Sequence, residues 1–204
     1  HRRSSAASDV YKRQGVDQND FAVTGPTGAT ISVSQVTAST YDVQISGGNM
    51  ATLSATVGLN FSSPSITDLA GNALPNTEPT TDQTYNVDNV APSTTSFTRK
   101  TPTTENTNAD AVTFLVTFSE DVTGVDNGDF AVTGPTGASI SVSQVTASTY
   151  DVQISGGDMA GLNAVVGLNF SSPSITDLAG NALPNTEPTT CLLYTSPSPR
   201  DNTT

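Results

Sequence analysis

The 204-residue chain has one cysteine, one histidine, two methionines and no tryptophan, and only 7 of its residues are Lys or Arg. No run approaches the ~18 apolar residues of a membrane-crossing helix, so no span is expected. With 7 basic against 19 acidic residues the formal net charge is −12. The Lys/Arg footprint that neutralises phosphates is missing, which argues against a nucleic-acid partner. His1 and Cys191 are the only His and Cys, so residues 15–190 hold no Cys/His zinc cluster, no Ser-His-Asp triad and no disulfide. The composition is rich in Thr, Ser, Asn, Gly and Val, which suits short strands and turns better than helices.

The two ends differ from what lies between them. Residues 4–14 read SSAASDVYKRQ and residues 191–201 read CLLYTSPSPRD. These resemble translations of the two opposite adapters of a transposase-based sequencing library. Residues 1–14 and 191–204 are therefore set aside as adapter-derived and non-biological, as a tag would be. The lone His and the lone Cys go with them. Setting aside Asp9 and Asp201 leaves 17 acidic residues against Arg99 and Lys100, a net of −15 for residues 15–190. Their carboxylates sit among Gly/Asn-rich turn signals rather than beside apolar residues that would raise a pKa, so paired-carboxylate catalysis is disfavoured and no enzyme is expected.

Residues 15–81 and 124–190 are one segment repeated at an offset of 109, differing at seven of 67 positions. A period this long is a whole domain rather than a solenoid turn. Three of the differences, Thr52/Gly161, Ser54/Asn163 and Thr56/Val165, alternate with the unchanged Leu53/Leu162, Ala55/Ala164 and Val57/Val166. That period of two predicts a strand burying Leu162, Ala164, Val166, Leu168 and Phe170 on one face.

The alternation recurs in Val112, Phe114, Val116 and Phe118, in Phe130 and Val132, in Ile140 and Val142, and in Tyr150, Val152 and Ile154. Turn residues such as Gly124, Gly134-Pro135, Gly137 and Gly156-Gly157 close the runs. A first strand is expected around residues 96–99 and a last one, in the first copy, around 84–88. About seven short strands in about 100 residues favour an all-β, immunoglobulin-like Greek-key β-sandwich, with a barrel also compatible with the pattern. The expected division is a partial repeat over 15–90 and a nearly complete one over 91–190. The first copy lacks its two N-terminal strands, the counterparts of 91–123, and the second lacks its last. Residues 191–196 are expected to be drawn into that last position, since an open strand edge accepts almost any extended chain.

The runs VTFLVTFSEDVTGVDNGD (112–129), DVQISGG (151–157), ITDLAGNAL (175–183) and YNVDNVAP (85–92) resemble the bacterial Ig-like repeats of very large secreted adhesins and biofilm-associated surface proteins. The resemblance covers essentially all of residues 15–190. It implies an extracellular, cell-surface bacterial protein built of many modules in series, acting as a stalk or adhesive array and often binding calcium at the junctions. The partners it implies are neighbouring repeats of the same chain and an unidentified host or surface ligand. Fold likeness is a limited warrant for function.

A separate argument supports calcium. In a seven-strand sandwich the start of the first strand and the loops after the second and sixth strands share one pole. That pole would gather Asp88 and Asn89 from the linker, Glu120, Asp121, Asp126 and Asp129 from one loop, and Asp177 with Asn181 from another. Calcium takes six to eight hard oxygen ligands, and crowded carboxylates are costly unless a cation neutralises them. The bland reading is a set of solvated turn carboxylates, with 177–181 (DLAGN) a turn motif. Binding in the weak range of extracellular modules, about 10⁻⁴–10⁻³ M, is expected.

The phenylalanines at 21, 61, 97, 114, 118, 130 and 170 fall at inward positions and read as core, and Tyr150 as core with a polar tip. Thr-Gly-Pro-Thr-Gly at 24–28 and 133–137 is a tight turn rather than a phosphate cradle, because no Lys follows and no helix begins there. The commitment is a non-catalytic structural or adhesive repeat. The alternative, a carbohydrate-binding or spacer module of a secreted hydrolase, calls for exposed aromatics, and the sequence pattern offers none.

Overall fold

A computed structural model describes residues 13–188 and 193–195. The chain divides into two units, His1–Val90 and Ala91–Thr204. Both are built of antiparallel strands, and the only helical pieces among the described residues are single 3₁₀ turns of three residues.

Unit 1 contains β1 (Arg13–Gln14), β2 (Phe21–Thr24), β3 (Ala29–Gln35), β4 (Tyr41–Gly47), β5 (Ser54–Phe61), β6 (Thr67–Asp68) and β7 (Tyr85–Asp88). Unit 2 contains β8 (Thr94–Thr101), β9 (Ala111–Phe118), β10 (Val122–Thr123), β11 (Phe130–Thr133), β12 (Ser139–Thr146), β13 (Thr149–Ser155), β14 (Val165–Phe170), β15 (Thr176–Asp177) and β16 (Tyr194–Thr195). In unit 2 the sheets run β12-β13-β9-β8 and β11-β14-β16, with a short β10-β15 ladder. Unit 1 repeats part of this as β3-β4, β2-β5-β7 and β1-β6. The architecture is all-β and sandwich-like.

The alternation along β9 buries every second residue completely. Val112, Phe114, Val116 and Phe118 are at most 3% exposed, while Thr113 and Thr117 on the opposite face are half-buried. Val152 and Ile154 of β13, Val166, Leu168 and Phe170 of β14, and Phe130 of β11 close on the same core. Phe97 of β8 packs edge-on against the stacked pair Phe130 and Phe170, at centroid distances of 6.3 and 5.1 Å. Both contacts are edge-to-face, the arrangement the ring quadrupoles favour. Tyr150 is buried with its hydroxyl donating to the Val122 carbonyl at 3.2 Å, as a core tyrosine with a polar tip should.

Several boundaries depart from the sequence pattern. The strand expected over residues 162–170 begins only at Val165, and Leu162 and Ala164 are half-buried outside it. The reason is its neighbour. In unit 1 the equivalent β5 is held from Ser54 to Val57 by β7, whereas β16 pairs only with Val165 and Val166. The β10-β15 ladder was not legible as strand because each partner is two residues long. Tyr85 is 77% exposed, so one aromatic does stand on the surface. It lies on β7, which pairs on one side only in its sheet.

Residues set aside as adapter-derived take up strand positions. Tyr194 pairs with Val166 as Tyr85 pairs with Val57, and Thr195 pairs with Val165 as Asn86 pairs with Thr56. At the other end Arg13 and Gln14 pair with Asp68 and Thr67, as Val122 and Thr123 pair with Asp177 and Thr176. The Arg13 N–H donates to Ala38 and its carbonyl accepts from Tyr41, just as Val122 bonds to Ala147 and Tyr150. Ladder bonds are made by backbone atoms and are indifferent to the side chain. Burial is not indifferent: Val122 is buried and Arg13 is exposed. Of residues 1–14 and 191–204, only 13, 14 and 193–195 are among the described residues.

Gly134 shows why the Thr-Gly-Pro-Thr-Gly turn carries glycine. Its φ is +104°, and a Cβ there would lie 2.2 Å from the Val165 carbonyl oxygen. Only glycine reaches that conformation with the backbone so close.

Replacing Phe114, which is fully buried, by alanine should destabilise unit 2 by roughly 3–5 kcal/mol. Chemical denaturation followed by circular dichroism of F114A against the unsubstituted chain will measure this; a loss below about 1 kcal/mol would place Phe114 outside a packed core.

Candidate functional site

The carboxylates singled out by the sequence fall into three groups. Glu120 and Asp177, both in unit 2, form the first. Asp177 is placed by β15, whose register sets it opposite Val122, and Glu120 precedes Val122 by two residues. One carboxylate oxygen of Glu120 lies within 4.8 Å of one on Asp177. Two ligands of one calcium ion, each about 2.3–2.6 Å from it, are at most about 5 Å apart. The spacing therefore fits a shared hard cation.

Asp177 is 2% exposed and well supplied with donors. Its Oδ1 accepts from the N–H groups of Ala179 at 2.9 Å and Asn181 at 2.8 Å, and its Oδ2 from Asn181 Nδ2 at 2.7 Å. Burial pushes the carboxyl upward, but the bonds from the Asn181 side chain and backbone and from the Ala179 and Gly180 backbone outweigh it and hold the pKa below 3.8. Asp68 in unit 1 repeats the arrangement with Ala70 and Asn72, at 2.9, 2.8 and 2.9 Å. The position 109 residues before Glu120 is Tyr11, so unit 1 has no glutamate there. The turn forms without it, which identifies the Asx bonds as the fold's own requirement.

The second group is occupied elsewhere. Asp129 is 2% exposed, with Oδ1 accepting from Ser174 N–H at 2.8 Å and Ser174 Oγ at 3.2 Å, and Oδ2 from Asp126 N–H at 2.7 Å. It braces the turn ahead of β11 to the turn after β14. Asp126 caps the three-residue 3₁₀ turn Asn127–Asp129, accepting from Gly128 N–H at 2.6 Å. Asp121 is exposed.

The third group belongs to unit 1. Asp88 ends β7 opposite Ser54, and its Oδ1 accepts from Val90 N–H at 3.2 Å. Asn89 donates from Nδ2 to the Met50 carbonyl at 2.7 Å, and its N–H bonds to the Leu53 carbonyl at 2.8 Å. Its amide thus anchors the last strand to the 3₁₀ turn Met50–Thr52.

Three of the turn carboxylates lie deeper than turn signals alone indicate. Asp20, Asp129 and Asp177 are at most 2% exposed. Each is supplied with donors by a turn, and for Asp20 burial pushes the pKa up but the bonds from the Asp17 and Ser65 backbone and the Ser65 hydroxyl win, lowering it. The sequence reading also passed over Glu78 and Glu187, whose carboxylates accept from Phe61 N–H at 2.9 Å and Phe170 N–H at 2.7 Å. Their identical 17-residue separation in both copies was the available signal. Asp158, where the first copy has Asn49, accepts from both the Thr136 hydroxyl and N–H at 2.7 Å, which depresses its pKa.

No protein-family model matches the chain, and no curated protein matches it significantly.

Because the folded-state pKa of Asp177 lies below the ordinary 3.8, its charge stabilises the fold above that value and the contribution is lost as pH falls through the folded pKa. Thermal melts should hold a constant midpoint from about pH 7 to pH 5 and then decline below about pH 4. D177N should start lower at neutral pH and decline less steeply in acid. Parallel curves for the two proteins would show that Asp177 does not contribute to the acid limb.

Proposed function

We propose that residues 15–190 are tandem immunoglobulin-like Greek-key repeats of a large extracellular bacterial surface protein, non-catalytic, serving as stalk or adhesive array. The observation that carries this reading is the repetition itself: 60 of 67 positions are identical at an offset of 109, and the strand registers repeat with them, Phe21 opposite Phe61 as Phe130 is opposite Phe170. A chain that repeats most of a domain, core and turns alike, while carrying no His or Cys in the repeated part, is suited to repetition of a spacer rather than to one reaction. Residues 1–14 and 191–204 are adapter-derived on this reading.

Calcium belongs to the proposal through Glu120 and Asp177, whose oxygens meet the spacing one ion requires. A cation held there offsets the repulsion of a segment with a net charge of −15, and calcium-stiffened repeats suit the mechanical role of a stalk.

Isothermal calorimetry with calcium chloride should show saturable binding with a midpoint of about 10⁻⁴–10⁻³ M, a higher unfolding temperature, and loss of both in E120Q. Absence of heat and of any thermal shift at about 10 mM calcium, roughly tenfold above that range, would remove the ion from the proposal. The repeat reading is tested separately: antibodies against the chain should label intact producing cells without permeabilisation, and a signal seen only after lysis would overturn an extracellular stalk.

A further inference from the structure

The sheet β12-β13-β9-β8 of unit 2 has two outer edges, and they are built differently. All four strands come from residues 94–155, well inside the repeat. The β8 edge carries Arg99 and Lys100, in ion pairs with Glu105 and Asp151, and its ladder with β9 shifts register twice, between Thr94 and Ser96 and between Arg99 and Thr101. Charges and bulges are the devices that keep an edge from pairing with another chain. The β12 edge has neither along Ser139–Gln144, where the register runs unbroken. Residues 130–150 contain no Asp, Glu, Lys, Arg or His, and the same holds for residues 21–41, which include β3, the copy of this strand in unit 1. Among the described residues β3 likewise pairs on one side alone, with β4.

The direction of the edge groups follows from one bond. The Val142 N–H donates to Asn127 Oδ1 at 2.9 Å, outside the sheet. Backbone groups alternate sides along an antiparallel strand, so those of Ile140 and Gln144 also point outward, while those of Ser141 and Ser143 point to β13. The matching ladder in unit 1 makes Ile31, Val33 and Gln35 the outward residues. Gln18 stands there where unit 2 has Asn127, one of the seven differences between the copies. Among the described residues nothing accepts from the Val33 N–H.

We propose that this edge pairs antiparallel with the same edge of a second copy of the chain: β3 with β3, and β12 with β12 once Asn127 releases the Val142 N–H. A two-fold axis at Ser32 sets Ser32 opposite itself, Ile31 opposite Val33 and Thr30 opposite Ser34. Ile31 and Val33 then exchange both of their N–H···O=C bonds with the facing pair. β-branched side chains meet on one face of the joined sheet and hydroxyls on the other, the cross-strand pairs that stabilise a sheet. Charge selects the occupant. Residues 15–190 carry a net of −15, so two copies repel wherever their carboxylates face each other, and the uncharged strand is where they approach without that cost. A basic partner would find no carboxylate on the strand itself to pair with. Sheet order and charge distribution carry this inference, and neither calcium nor surface display enters it, so each can fail alone.

The test is sedimentation equilibrium of the full chain in reducing buffer, so that Cys191 cannot cross-link two copies, together with residue-resolved amide exchange by NMR. The average mass should rise with concentration toward that of a dimer, with exchange slowing at Ile31 and Val33. Ser32→Lys, at an exposed position, sets two like charges opposite each other on the axis and should weaken association at least about tenfold. Gln44→Lys changes the net charge equally but lies one strand further in, opposite Ser32 in the β3-β4 ladder, and should leave association within about twofold. Asn127→Gln, which the equivalent turn of unit 1 accommodates as Gln18, should carry assembly beyond the dimer, because each chain then offers both edges. The proposal is overturned if the chain stays monomeric to about 1 mM, if the Ser32→Lys and Gln44→Lys chains associate equally, or if the slowed amides lie on other strands such as Tyr41–Gly47 or Tyr85–Asp88. An Asn127→Gln chain that assembles no further than the parent overturns the role given to Asn127.

Discussion

A β-strand has two edges and two faces, and this chain is organised by the need to satisfy all four. Where both edges are paired and the inward face is covered, as for β9 and β13, alternate residues reach complete burial. Where one edge has no partner among the described residues the equivalent residues stay half-buried, as in β4. Nearly identical sequence therefore yields two degrees of core closure, and the difference traces to the strand pair over residues 94–118 rather than to any of the seven substitutions. Edge satisfaction also explains why residues with no counterpart in the repeat take strand positions at both ends. An unpaired ladder recruits an extended backbone whatever its side chains, and the poor fit shows up in the burial, with Arg13 exposed where Val122 is buried.

The acidic residues divide by the same logic. A carboxylate that enters the interior of a turn meets a cluster of N–H groups, and the bonds they donate outweigh the cost of desolvation. Asp20, Asp129 and Asp177 are structural for that reason, each tying together backbone that would otherwise leave donors without partners. Within unit 2 the proposed cation would sit on a rigid frame, since Asp177 is already ordered by its own turn.

The period-two pattern made β9, β13 and the core half of β14 legible with their inward faces correctly assigned, because burial on one face is written directly into the residue order. The strand expected at residues 96–99 was found as Thr94–Thr101, an extension the pattern underestimates because Thr carries little polarity contrast between faces. Less was legible of the candidate site. Asp129 and Ser174 are 45 residues apart, and nothing local to either marks them as partners. The approach of Glu120 to Asp177 depends on a ladder of two residue pairs, too short to leave a periodic trace.

By itself, the sequence determined the all-β character, the repeat offset, most strand and turn positions and which residues face inward, since each follows from local preference and from alternation within a few residues. Only the tertiary structure decided which edges find partners, which carboxylates turn inward to brace the fold, and which two oxygens come close enough to share an ion. Those outcomes depend on contacts between segments tens of residues apart and on backbone hydrogen bonds, and the backbone is the same at every position.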